Sequence, residues 1–156
     1  MSKDTRKLLK VSLDEETVAA RNADVDHERQ VAIFDLLQEN EFALTSGENG
    51  PYHLILGIIE RRLCFDIRDP RDNKLAEIML PLAPFRSIIR DYFTVCDAYY
   101  EAIKTASRAR IEAIDMGRRS LHDEGAEILR ERLARDIEVD DNTSRRLFTL
   151  ICVLHA

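Results

Sequence analysis

The stretch Asp115–Gly125, DMGRRSLHDEG, gathers the side chains best suited to chemistry in this sequence. On a continuous helix Asp115, Arg119 and His122 share a face, and Arg118 lies one turn before His122. Two guanidiniums offer planar donor forks to a phosphate or carboxylate, and a histidine adds a hydrogen bond or moves a proton near neutral pH. Asp115 or Asp123 would orient them. The same spacing has a plainer reading, because Asp115 with Arg119 and Arg119 with Asp123 are i, i+4 ion pairs worth about 0.3–0.5 kcal/mol each on a solvated helix. A salt-bridged face is therefore the first expectation. A small anion site built from Arg118, Arg119, His122, Asp115 and Asp123 is the alternative.

Other groups with chemical potential are more dispersed. Arg108, Arg119 and Arg130 recur every eleven residues and return to nearly the same side of an unbroken helix. Glu112, Asp115, Asp123 and Glu127 interleave with them and cancel most of the field, which argues against a nucleic-acid stripe. The formal net charge of −6 argues the same way, since phosphate neutralisation supplies most non-specific affinity for nucleic acid. The histidines His27, His53, His122 and His155 form no metal-ligand spacing, and His53 and Asp66, diagonal neighbours on paired strands, are too few for a metal site. No metal or cofactor is expected. Cys64, Cys96 and Cys152 form no C-x-x-C pair, and Cys96 and Cys152 fall within apolar helical patterns, as packed thiols do. Tyr92, Tyr99 and Tyr100, with Phe85 and Phe93, have core packing as their expected role and a pocket lining as the other. No nucleophile elbow, phosphate-binding glycine loop or dinucleotide fingerprint is present.

The elements that position these groups follow from periodicity. Leu9, Val11 and Leu13 alternate as a short strand would, and Asp14 caps a brief helix to about Arg21. A second helix starts at Asp24 or Asp26 and ends near Glu39. Val31, Ala32, Ile33, Leu36 and Leu37 form its apolar face. After the turn TSGENGP at 45–51, residues 52–59 and 62–68 read as a hairpin in which Ile58 faces Leu63, Leu56 faces Phe65 and Leu54 faces Ile67. Glu60-Arg61 suits the positive-φ positions of a two-residue turn poorly, so a four-residue turn of the same register is expected. A third strand, 75–80, completes a meander. From Pro84 the period becomes helical to about residue 106, and a further helix covers 107–135, with a break expected near Gly117 or Gly125. Ile137–Val139 returns to the sheet, and Asp140 or Asp141 caps a last helix carrying Leu147, Leu150, Ile151 and Leu154.

The sum is an α+β domain spanning 1–156, in which a small antiparallel sheet (meander 52–80 plus short N- and C-terminal strands) packs on several helices. A 45% hydrophobic, 33% charged composition fits one soluble core at this length. Residues 1–10 lack the apolar stretch of a secretion signal, and the run 147–154 is too short to cross about 30 Å of hydrocarbon. The expected location is the cytoplasm. The motifs GPY at Gly50–Tyr52, FDIR at Phe65–Arg68, PFR at Pro84–Arg86, YYEAI at Tyr99–Ile103, IEAIDMGRR at Ile111–Arg119 and LFTLICVLH at Leu147–His155 resemble uncharacterised protein family 0262, short proteins of alphaproteobacteria. The resemblance implies a bacterial cytoplasmic protein and carries no activity, substrate or catalytic residue onto this chain. The functional expectation is a non-enzymatic interaction or regulatory domain that forms a homodimer or meets a protein partner. The anion site, as a binding protein or an enzyme, is its rival.

Overall fold

The β hairpin forms with the register that its apolar pattern dictates. The computed structural model describes residues 5–14 and 23–155. In it β3 (Tyr52–Ile59) and β4 (Arg62–Arg68) pair antiparallel with Leu54 opposite Ile67, Leu56 opposite Phe65 and Ile58 opposite Leu63. All but the half-buried Ile58 are buried, so a one-residue slip would turn five large apolar side chains to water. The turn departs from expectation. Glu60 and Arg61 both take positive φ, 51° and 64°, and connect Ile59 to Arg62 in two residues. Such a turn matches the twist of its strands, and this fit outweighs the preference of the two side chains for other conformations.

Strand β5 (Lys74–Pro81) continues the meander, antiparallel to β4. The fourth strand of the sheet, β1 (Leu8–Leu13), lies parallel to β3 at the edge, giving the order β1-β3-β4-β5. The sheet is thus mixed. A parallel neighbour needs a crossover, and the chain between β1 and β3 includes α1 (Ala23–Gln38), which packs on β1 and the C-terminal helix. The brief helix expected at 14–21 lies outside the described residues apart from Asp14. Ile137–Val139 is a strand, β6, but not of this sheet. It pairs antiparallel with β2 (Phe42–Leu44), Phe42 opposite Val139 and Leu44 opposite Ile137, as a separate two-stranded ribbon.

Among the described residues three further helices follow: α2 (Ala83–Thr105), α3 (Arg108–Leu133) and α4 (Asp141–His155). Ser107 starts α3, its hydroxyl accepting from the Arg110 N–H at 3.3 Å, and Asp140 does the same for α4 through the Thr143 N–H at 2.9 Å. Helix α3 runs unbroken through both Gly117 and Gly125. Gly125 is there for contact, since a Cβ on it would fall 2.2 Å from the tip of the Phe148 ring on α4. One contiguous core joins Leu8 and Val11 of β1, Leu36 of α1, the inward faces of β2, β3, β4 and β6, and Leu147, Phe148, Leu150 and Ile151 of α4. Helix α2 adds Phe85, Ile88 and Ile89. Its C-terminal half buries only Ala102, so with the first half of α3 it forms a helical arm whose other side chains are exposed or half-buried.

Candidate functional site

The cluster on α3 opens into a cleft of about 590 Å³ lined by Tyr92 of α2, Arg118, Arg119, His122 and Asp123 of α3, and Arg145 and Thr149 of α4. Helical periodicity carries Arg118, Arg119 and His122 to one side of α3. The close approach of α3 to α4 at Gly125 then brings Arg145 and Thr149 across from them.

Arg118 is the fixed member. Its Nε and one terminal nitrogen donate to Asp115 Oδ1 at 3.1 and 2.7 Å, and its guanidinium lies 5.7 Å from the centre of the Tyr99 ring. Arg119 reaches the other Asp115 oxygen at 2.9 Å and keeps most of its side chain in solvent. The Arg118 hydrogen bond, then the charges of both arginines, hold the Asp115 carboxyl below its usual range. Asp123 does not pair with Arg119 as i, i+4 spacing suggested. It meets Arg145 across the cleft at 3.0 Å.

His122 is the half-buried floor of the cleft. Its ring stands 5.6 Å from Tyr92 and 5.3 Å from Phe148, between centroids, and its Nε2 lies 2.7 Å from Thr149 Oγ1. The Thr149 hydroxyl donates to the Arg145 carbonyl at 3.1 Å, so its oxygen accepts from His122 and Nε2 carries the ring proton. Burial pushes the His122 pKa below 6.5, and Arg145 and Arg118 add to this against the opposing Asp123 charge. The ring is therefore neutral at pH 7. Burial also pushes the Tyr92 hydroxyl up to about 12, offset in part by Arg118, so it remains a donor. Three guanidiniums then face two carboxylates, Asp115 and Asp123, leaving the cleft one positive charge in excess.

A pH prediction follows from His122. As pH falls below 6.5 the unfolded chain takes up this proton before the folded one, so stability declines until the folded ring titrates and is level beyond that. Asp115 acts in a separate, more acidic window, because its folded pKa lies below 3.8. Urea titrations at pH 7.5 and 5.5 should show less stability at the lower pH, and a smaller difference for His122→Gln.

Next to the cleft, sharing Tyr92 and Arg118, a second cavity of about 280 Å³ is lined by Cys96, Tyr99 and Tyr100. The aromatic residues of α2 thus divide. Phe85 is in the core and Tyr92 and Phe93 pack against it, Tyr92 also facing the cavity, whereas Tyr99 walls the cavity and Tyr100 is exposed, so core packing fails for Tyr99 and Tyr100. Burial raises the Cys152 thiol to about 12, which keeps it protonated and inert. Arg108 and Arg130 of the eleven-residue series have carboxylate partners of their own, Glu112 at 3.6 Å and Asp141 at 2.6 Å. His53 does not face Asp66, which pairs with Arg68 at 3.0 Å. It meets Asp72 at 2.9 Å instead. Among the described residues no three His, Cys, Asp or Glu side chains come together as a metal site requires, and no helix is long and apolar enough to cross a membrane.

Tyr92, Arg145 and Thr149 are the lining residues that spacing along α3 did not indicate. In the sequence Tyr92 is one aromatic of an apolar stripe, with nothing to give its direction. For Arg145 and Thr149 the signal was tertiary, set by how α4 docks on α3.

Fold and cleft define a class: an α+β protein with a cationic, aromatic-edged cleft among three helices. The chain belongs to uncharacterised protein family UPF0262, whose profile matches residues 5–156. It is 54% identical to a UPF0262 protein of Rhodospirillum rubrum over 99% of this chain and 95% of that one. It is 53% identical to one of Hyphomonas neptunium (96% and 93% covered) and 52% identical to one of Paramagnetospirillum magneticum (96% of each). No solved structure matches.

Proposed function

We propose that this protein is a cytoplasmic binding protein for a small anionic molecule, held in the cleft between α3 and α4. The observation that supports this best is the convergence of Arg118, Arg119 and Arg145 from two helices on one cleft with only two carboxylates to balance them. Arg118 is pre-ordered by Asp115 and Tyr99. Arg119 and Arg145, more exposed and singly paired in the cleft, would turn to a phosphate or carboxylate with Tyr92 and His122 as neutral hydrogen-bonding groups. The aromatic cavity beyond Arg118 suits a flat apolar portion of the same ligand, so nucleotides and aromatic carboxylates come first among probes. A ligand at a hundred times its dissociation constant should stabilise the fold by about 2.7 kcal/mol in a thermal-shift assay. Arg145→Ala should remove that shift while leaving the unliganded midpoint within a few degrees. Absence of any shift across both probe classes would sink the reading.

A second reading, contact with a protein, has its own support. Tyr100 and Ile103 on α2 and Met116 on α3 are large apolar side chains left 50–64% exposed on the helical arm. A second copy of the chain would cover them, giving a homodimer. Light scattering should then report a dimer that Ile103→Glu dissociates. A wild-type monomer over a hundredfold concentration range would reject it.

A further inference from the structure

On the sheet, sharing no residue with the cleft, three side chains stand in a relay. Ser12 Oγ lies 2.9 Å from His53 Nε2, and His53 Nδ1 lies 2.9 Å from Asp72 Oδ1. The three come from β1, β3 and the turn between β4 and β5, 41 and 19 residues apart in sequence, so no local spacing announces them. The tautomer follows from the partners. A carboxylate only accepts, so Nδ1 carries the proton, Nε2 keeps its lone pair, and the Ser12 hydroxyl donates to it. The His53 hydrogen bond holds the Asp72 carboxyl below its usual range, as a charged acceptor requires. His53 itself is buried, which fixes the ring, while Ser12 is part-exposed. A small cavity of about 110 Å³ adjoins the His53–Asp72 side of the relay, lined by Leu9, Lys10, Tyr52, His53, Pro70 and Asp72; Ser12, on the other ring nitrogen, does not line it.

We propose that Ser12, His53 and Asp72 form a nucleophilic triad that hydrolyses small acyl esters reaching the half-exposed Ser12 hydroxyl from solvent. The roles follow from the order of the hydrogen bonds, which is that of a serine activated by an imidazole whose far nitrogen is held by a carboxylate. Ser12 Oγ attacks the ester carbonyl, forming an O–C bond as its proton passes to His53 Nε2. Collapse breaks the bond to the alkoxide, which takes that proton from Nε2 and leaves as the alcohol. Water then attacks the acylated Ser12 and gives its proton to Nε2. The acyl–Ser12 bond breaks, the carboxylic acid departs, and the proton returns to Ser12. Ester and water become acid and alcohol. Asp72 stabilises the imidazolium formed in each half.

The test uses the full-length protein, a fluorophosphonate probe with peptide mapping, and hydrolysis of p-nitrophenyl acetate. One adduct is expected, on Ser12. Ser12→Ala should reduce hydrolysis to the solution background, and His53→Gln should slow both labelling and turnover roughly a hundredfold. Because His53→Gln replaces a buried ring and can cost the fold, Asp72→Asn provides a second arm. Asp72 is exposed and at φ 64°, a conformation asparagine accepts, and its change should slow labelling at least about tenfold with an unchanged melting curve. A folded wild-type protein with no adduct on Ser12 overturns the proposal. So does Ser12→Ala that hydrolyses as fast as wild type, and Asp72→Asn labelled at the wild-type rate removes the carboxylate from it. The same hydrogen bonds would then be a clamp holding edge strand β1 to the β4–β5 turn.

Discussion

Gly125→Ala is expected to destabilise the protein by about 3 kcal/mol, while Gly117→Ala, eight residues earlier on the same helix, stabilises it by about 0.5–1 kcal/mol. Both changes add one methyl group to the interior of α3, and on intrinsic helix preference both should help. What separates them is the neighbour. At Gly117 a Cβ meets no atom within 4 Å. At Gly125 it would lie 2.2, 2.5 and 2.6 Å from three atoms of the Phe148 ring, far inside van der Waals contact. An exposed ring would swing aside at little cost. Phe148 is fully buried and edge-on to His122, so it moves only by displacing the α3–α4 contact or the core behind it. Chemical denaturation of the two variants against wild type checks this, and equal stabilities would remove the close approach as the reason for glycine. The consequence reaches the cleft, because the same approach sets Arg145 and Thr149 opposite Arg118 and His122. Gly125→Ala should also weaken any ligand held there, and Gly117→Ala should not.

Gly125 shows what periodicity can and cannot convey. A glycine in a helical pattern reads as a weak point, hence the break expected near Gly117 or Gly125, yet only Gly125 has a tertiary contact to excuse it. The hairpin was legible because its information is local: Leu54, Leu56 and Ile58 against Leu63, Phe65 and Ile67 admit one register with every large side chain on one face. The helix limits were legible for the same reason, from Pro84, Ser107 and Asp140 at their starts. Strand pairing was not. Phe42–Leu44 and Ile137–Val139 are each three residues long, and nothing in either short run says that it should find the other instead of the meander.

The candidate site divides along the same line. Asp115, Arg118, Arg119, His122 and Asp123 are on one helix, and their common side follows from 3.6 residues per turn. Their partners depend on a neighbouring helix. Asp123 was expected to take Arg119, four residues away, but Arg145 approaches from α4 and leaves Arg119 to Asp115. Surface ion pairs differ by tenths of a kcal/mol, so helix docking decides among them. The Ser12–His53–Asp72 relay shows the same dependence, since His53 passes over Asp66 on the adjacent strand for a turn residue 19 positions on.

The second large effect tests the phase of β1. Leu8→Ala is expected to cost about 2–5 kcal/mol, whereas Leu9→Ala should change stability by no more than about 0.5 kcal/mol. Alternation through Leu9, Val11 and Leu13 argues for the reverse, placing Leu9 inside and Leu8 outside. The register against β3 explains the exchange. Leu8 pairs with Tyr52 and Lys10 with His53, so β1 advances two residues where β3 advances one, and Leu9 is the extra residue of a bulge. On its two sides the core-facing positions become Leu8 and Val11, three apart, and Leu9 is left 55% exposed while Leu8 is 2% exposed. Asn40 locks this phase. Its side-chain oxygen accepts the Leu8 N–H at 2.7 Å, and its nitrogen donates to the Leu8 carbonyl at 3.3 Å and to the Leu36 carbonyl of α1 at 2.9 Å. With one amide satisfying both backbone groups of Leu8, a slip to bury Leu9 would leave that amide and the Leu8 backbone short of partners. Denaturant midpoints of Leu8→Ala and Leu9→Ala decide the phase, and the larger loss at Leu9 would refute it. The same bulge sets Lys10 beside His53, so the cavity beside the His53–Asp72 pair depends on this phase.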